Sequence, residues 1–134
     1  MAAAEHCACI YACGGQLLNG SQSGGLLRLD PRCRSWTTLP AMPTPSAFGA
    51  AAVVSGRLYV PGGLTGVPGH PCWHQAGLHS MQCFDMAAGR WDTGCMPMAL
   101  PRSGHGVATF HGEVRWRWWW AGSQARVGTM ARWM

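Results

Sequence analysis

Histidine and cysteine are the residues of this sequence best suited to chemistry, and they come in two groups. His70, Cys72, His74, His79 and Cys83 crowd one stretch; His6, Cys7, Cys9 and Cys13 crowd the start. Imidazole and thiolate are zinc ligands, needed four at a time, usually as pairs such as Cys-x2-Cys and His-x3–5-His. His74 and His79 have the histidine spacing, but no Cys-x2-Cys accompanies them. Cys9 and Cys13 lie four apart, which on a strand puts both on one face. The first group therefore reads as a polar loop and the second as small thiols. A small metal-binding module on the loop 70–83 is the alternative, and no metal ligand set or cofactor is assigned. The acids are Glu5, Asp30, Asp85, Asp92 and Glu113. They form no carboxylate pair, and neither a Gly-x-Ser-x-Gly elbow nor a phosphate loop is present. No catalytic residue is assigned, and the chain is not read as an enzyme.

Such side chains need a scaffold, and composition limits which. Of 134 residues, 48% are hydrophobic and 11% charged, with Gly 19 and Pro 9. Gly and Pro at this frequency break helices, which excludes a helical bundle. The apolar content excludes a disordered chain, and no run approaches the roughly 20 apolar residues of a spanning helix. The start has Glu5 and His6 where a secretory signal would be apolar. Seven Cys, an odd number without regular spacing, then fit reduced thiols and a cytoplasmic, or nuclear, location. The formal net charge is +5, all of its cations Arg. Arg115, Arg117, Arg126 and Arg132 lie after residue 113 with no acid among them, beside five of the eight Trp. The basicity is a property of this end.

Internal repetition identifies the elements. Ile10-Tyr11-Ala12-Cys13-Gly14-Gly15 returns as Leu58-Tyr59-Val60-Pro61-Gly62-Gly63, 48 residues on. Asp30 and Trp36 return as Asp85 and Trp91, 55 residues on. Leu39-Pro40-Ala41-Met42-Pro43 is echoed by Cys95-Met96-Pro97-Met98, and Phe48–Gly56 by Gly104–Gly112 at a spacing of 56. The jump from 48 to 55 predicts a seven-residue insertion between Gly63 and Asp85. Each unit reads as short strands split by turn residues: Cys9–Cys13, Leu26–Asp30 and Ser35–Leu39, then Ala50–Ser55, Arg57–Pro61, Met81–Asp85 and Arg90–Thr93. Glycine pairs after a strand permit positive φ and close backbone approach. A recurring Trp supplies apolar area for packing one unit on the next.

This ordered series, apolar-Tyr-x-x-Gly-Gly, Asp, Trp, Met-Pro and a small-residue strand, resembles the kelch repeat, and most of all that of the BTB-kelch adaptors. Its signature positions are Gly14, Gly15, Asp30 and Trp36, then Gly62, Gly63, Asp85 and Trp91. The resemblance implies an all-β fold, a partial kelch-type β-propeller of about two blades whose ring is not closed. The expected organisation is a first unit at 8–48 lacking its opening strand, a second at 49–103, the first strand of a third at 104–114, and an irregular non-kelch tail at 115–134. Where the repeat calls for apolar-Tyr-x-x-Gly-Gly, the sequence runs Arg115-Trp116-Arg117-Trp118-Trp119-Trp120. Because Trp codons and common Arg codons read one base out of register give Gly, this tail is expected to be an out-of-frame or alternatively spliced end. Nucleic-acid stacking and membrane-interface binding are its other readings; neither a nucleic acid nor a membrane is the partner expected.

The resemblance further implies a protein-interaction module whose family recruits substrates to a cullin-RING ubiquitin ligase. In that family the loops joining one blade to the next line the substrate face. That makes Arg102, Ser103 and His105 the candidate partner-binding residues; the matching loop Pro45-Ser46-Ala47-Phe48 has no Arg. The BTB and BACK parts that bind the cullin are not in these residues. A partial array of blades leaves faces uncovered, so self-association through exposed blade faces is expected.

Overall fold

The computed structural model describes residues 1–66, 75–92, 94–101, 103, 106–110, 113–117 and 127–129. The first unit is an antiparallel sheet of β1 (Ala2–His6), β2 (Cys9–Cys13), β3 (Leu26–Asp30) and β4 (Ser35–Leu39), in that spatial order. The second contains β5 (Ala52–Val54), β6 (Arg57–Pro61), β9 (Met81–Asp85) and β10 (Arg90–Asp92), again neighbour to neighbour. The insertion between β6 and β9 carries a small hairpin, β7 (Leu64–Gly66) on β8 (Gln75–Gly77). A third sheet pairs β11 (Gly106–Phe110), β12 (Glu113–Arg117) and β13 (Val127–Thr129).

Three of these strands, β1, β12 and β13, correct the sequence reading. The first unit does not lack its opening strand: β1 pairs with β2 along its whole length, Ala2 opposite Cys13 and His6 opposite Cys9. The turn between them, Cys7-Ala8, has φ of 51° and 60°. Its counterpart 48 residues on, Ser55-Gly56, has φ of 50° and 73°. Both are two-residue reversals of the kind that matches strand twist, which Gly and Asn favour. Cys-Ala carries no such signal, so the strand was hidden. The Glu5 carboxylate supports the turn by accepting from the Ala8 N–H at 2.9 Å. The second correction concerns the far end. Arg115–Arg117 continue β12, and Val127–Thr129 add β13, instead of belonging to an irregular tail. Val, Trp and Thr suit a pleated strand whatever their origin, and β12 pairs its backbone with β11 on one side and β13 on the other. The other residues of 115–134 lie outside the described ones.

Alternation along the strands gives each sheet two packing faces. Leu58, Val60 and Phe84 of the second unit, at most 2% exposed, meet Tyr11, Cys13, Leu26 and Met42 of the first. The other face of the same strands, Tyr59, Met81 and Cys83 with Ala52, packs toward Val107 of the third sheet. The core is thus two seams between successive sheets. Trp91 seals the first seam. Its ring lies 5.3 Å from that of Phe84, and its indole N–H donates to the Pro40 carbonyl of the preceding unit at 2.7 Å.

Candidate interaction surface

Chain direction places four connections at one end of the sheets. β2 and β6 run toward that end and finish in the glycine pairs; β4 arrives there, and β5 departs from it. The connections are residues 14–25, 40–51, 62–80 and 93–105. Met98 joins them through its N–H, which donates to the His79 carbonyl at 2.7 Å. Tight turns of two or four residues close the opposite end.

The glycine pairs hold this end together. Gly14, Gly15, Gly62 and Gly63 have φ of 67°, 112°, 64° and 102°, open to Gly at little cost. A Cβ on Gly14 would stand 2.4 Å from the Ser46 carbonyl oxygen, and one on Gly63 2.9 Å from that of Ala47. The space is occupied by the strap 44–47, which links the units. Gly15 N–H donates to Ser46 O at 2.9 Å, and Ala47 and Leu64 exchange backbone hydrogen bonds of 2.9 and 2.7 Å. On the far side the buried Gln82 amide grips Thr44, accepting from its N–H and donating to its C=O, both at 2.9 Å. The strap is therefore fixed by both units, and the signature glycines act structurally. So do the signature aspartates. Asp30 accepts from Arg32 N–H at 2.9 Å, and Asp85 from Ala87 and Ala88 N–H at 3.0 and 2.9 Å, closing the tight turns. Hydrogen bonds from Ala88, then Ala87, and the charge of Arg57 hold the Asp85 carboxyl below its usual range.

Upon this frame the connections present an unusual surface. Together they contain no Asp, Glu or Lys and a single Arg, Arg102. Among the described residues the ionic side chains belong to strands or tight turns, as in Arg57 between Asp85 and Asp92 at 3.4 and 3.7 Å. Exposed large apolar side chains are concentrated there instead: among the described residues Leu17, Leu18, Phe48, Met96 and Leu100 are on connections at the loop end and Met1 lies beside Gly15, while Ile10 and Trp36 are the two on strands. Phe48 is held outward at φ 54° and is 52% exposed. Sequence reasoning looked for charge on these loops and missed these five residues. The signal was available as the absence of acids across the four connections. Of the three predicted contact residues, Ser103 is half-buried on the 93–105 connection. Arg102 and His105 lie outside the described residues.

The histidine and cysteine groups are dispersed. His79 is exposed on the loop end, whereas Cys83 is wholly buried on β9, where burial pushes its thiol up to about 12. His70, Cys72 and His74 lie outside the described residues. At the other end of the sheets, His6 Nε2 and Cys7 Sγ are 3.2 Å apart. Cys13 sits four residues along β2 from Cys9, about 13 Å at strand rise, with its buried thiol pushed up to about 11. Neutral buried thiols are poor metal ligands, and among the described residues no three His, Cys, Asp or Glu converge.

No family model matches the chain. Among curated proteins it is 32% identical to human Kelch-like protein 33 over 95 residues, 71% of this chain and 16% of that protein. It is 30% identical to Beta-scruin of Limulus polyphemus over 125 residues, 91% of this chain and 13% of that one. An F-box/kelch-repeat protein of Arabidopsis thaliana is 31% identical over 88 residues, 66% and 21% of the two chains. Among solved structures YjhT, a kelch-type propeller, superposes with a TM-score of 0.72 at 18% identity, covering 87% of this chain and 32% of that chain. Two four-stranded sheets packed in sequence, each with its glycine pair, turn aspartate and Trp, form a partial β-propeller. The chain is a kelch-repeat protein, spanning about a fifth or less of the length of the curated relatives named here.

Proposed function

We propose that the loop end is a protein-binding surface that takes an uncharged, apolar stretch of a partner, and that the chain acts by binding and not by catalysis. The observation that carries this reading is the segregation of side chains. Five exposed large apolar residues occupy the connections, from which every acid and all but one cation are excluded. Exposed apolar groups gathered on one face mark interaction sites, and scaffolded loops are where binding residues concentrate. The family resemblance supports Arg102, Ser103 and His105 as further polar contacts, since a guanidinium can pair with a carboxylate of the partner. The similarity to proteins named Kelch-like supports a finer reading. In it the bound partner is a substrate for ubiquitination, and this region is the recognition part of a cullin-RING adaptor acting in the cytoplasm or nucleus.

Substitution of the loop end tests the binding reading. Proteins cross-linked to the wild-type chain in cells are expected to be lost from a Leu17→Ser/Leu18→Ser/Phe48→Ser/Leu100→Ser variant. They should be retained by an Arg32→Ser/Arg90→Ser variant altered at the opposite end. The reverse pattern contradicts the assignment. For the finer reading, a captured partner's ubiquitination should change with expression of the wild-type chain and not of the loop-end variant. Partners whose ubiquitination responds to neither would leave binding intact and remove the ligase role.

A further inference from the structure

Cys83 and Cys95 belong to different parts of the second unit, and the fold brings them together. Cys83 lies in the middle of β9, wholly buried and paired on both sides, with Tyr59 of β6 and Asp92 of β10 as its register partners. Such cross-strand partners stand about 4.5–5.5 Å apart between Cα atoms. Just past Asp92 the chain turns. The Asp92 carboxylate accepts from the Gly94 N–H at 2.8 Å, and Cys95 Sγ comes to 4.0 Å from the Asp92 carbonyl oxygen. Cys95 is thereby directed back toward the strand pair. It packs, half-buried, on the cluster of Ala52, Tyr59, Met81 and Cys83, and the two thiols share a hydrogen bond.

Two free thiols within hydrogen-bonding reach can close to a disulfide if one sulfur can move, because the S–S bond is only about 2.05 Å long. β9 is held by a ladder on each edge, whereas Cys95 sits on the connection 93–105, outside any strand. The movement therefore falls to residue 95. Access falls to the same residue, since Cys83 is 0% exposed. Burial raises both thiols, so in the absence of an oxidant they rest protonated. Arg57, which bridges Asp85 and Asp92, also reaches the Cys83 sulfur, and a cation there favours the thiolate that attacks.

We propose that Cys83 and Cys95 are a redox modification site, closed to a reversible disulfide by a hydroperoxide such as hydrogen peroxide. The Cys95 sulfur attacks one peroxide oxygen. The O–O bond breaks, the other oxygen leaves with the thiol proton as water, and Cys95 becomes a sulfenic acid. The Cys83 sulfur then attacks the Cys95 sulfur. The S–S bond forms, the S–O bond breaks, and the leaving oxygen takes the Cys83 proton and departs as a second water. The two sulfurs together lose two electrons and the peroxide gains them. The new bond staples the connection that carries the exposed Met96 and Leu100 to the buried strand β9. It does not depend on what the loop end binds.

Disulfide mapping of the full-length chain after hydrogen peroxide treatment tests the site. The treated chain is quenched in acid, unfolded in urea, alkylated with N-ethylmaleimide and cut with trypsin and chymotrypsin. Cleavage after Trp73 separates Cys72 from Cys83. The main cross-link is expected between Cys83 and Cys95, and dithiothreitol should return it to two thiols. A Cys95→Ser variant, changed at a half-buried position, should lose the cross-link and keep Cys83 reduced. Hydrogen exchange over residues 94–101 should be several-fold slower in the oxidised wild type and unaltered by peroxide in Cys95→Ser. A treated wild type with both thiols alkylated, cross-links mainly to other cysteines, equal oxidation of Cys83 in Cys95→Ser, or unaltered exchange over 94–101 overturns the proposal.

Discussion

The two complete sheets share a strand order and differ in what surrounds them, and the pair Trp36 and Trp91 shows the consequence. Both sit at the same position of the fourth strand. Trp91 stacks at a tilt on Phe84 and hydrogen-bonds to Pro40 across the seam, whereas Trp36 stands 56% exposed. The same residue in the same strand is a half-buried part of the seam in one sheet and a surface group in the other. A blade signature therefore specifies a position, and a neighbouring sheet turns that position into stability. The polar contacts differ likewise. Gln82 ties the second sheet to the strap, but its counterpart 55 residues earlier is Leu27. Arg57 bridges Asp85 and Asp92, but the matching positions in the first sheet are Cys9, Asp30 and Thr37.

Substitutions at matched positions test this contrast. The largest difference is expected between Trp91→Ala and Trp36→Ala. The first strips a half-buried ring and its hydrogen bond from the seam and costs about 1–3 kcal/mol. In the dilute chain the second costs under about 0.5 kcal/mol, as surface substitutions do. Next comes the strap. Gly14→Ala drives a methyl against the Ser46 carbonyl at positive φ, whereas Gly56→Ala meets nothing within 4 Å. Gly56→Ala should cost only the left-handed backbone penalty of about 1–2 kcal/mol, and Gly14→Ala clearly more, as read from urea midpoints. Gln82→Leu, which copies Leu27 of the first sheet, leaves the Thr44 N–H and C=O without partners and should cost about 1–3 kcal/mol. The smallest effect is ionic. Asp85 is held below its usual carboxyl range, so its contribution is present above the unfolded value and is lost as pH falls through the folded one. Asp85→Asn should remove that acid-side part of the stability profile, and salt should weaken the Arg57 contribution at neutral pH.

Much of the fold was legible because the repeat states it twice. β2, β3, β4, β6 and β9 fall where glycine pairs, turn aspartates and tryptophans predict them. β1 was not legible, since Cys7-Ala8 reverses the chain without the Gly that marks Ser55-Gly56. β12 and β13 were obscured because arginine and tryptophan suggested a broken pattern, while strand pairing depends on the backbone. At the loop end, sequence analogy drew attention to Arg102, Ser103 and His105. The apolar residues Leu17, Leu18, Phe48, Met96 and Leu100 emerged only when the connections were seen to share one end. An apolar residue in a loop has no periodicity to announce it, and its meaning depends on which other loops lie beside it.

Stability resides in the seams between successive sheets and not within each sheet. Equilibrium urea unfolding of Trp91→Ala and Trp36→Ala, side by side at a concentration where single copies prevail, tests it most directly. The midpoint is expected well below wild type for Trp91→Ala and within error of wild type for Trp36→Ala. Equal losses in the two variants would contradict it.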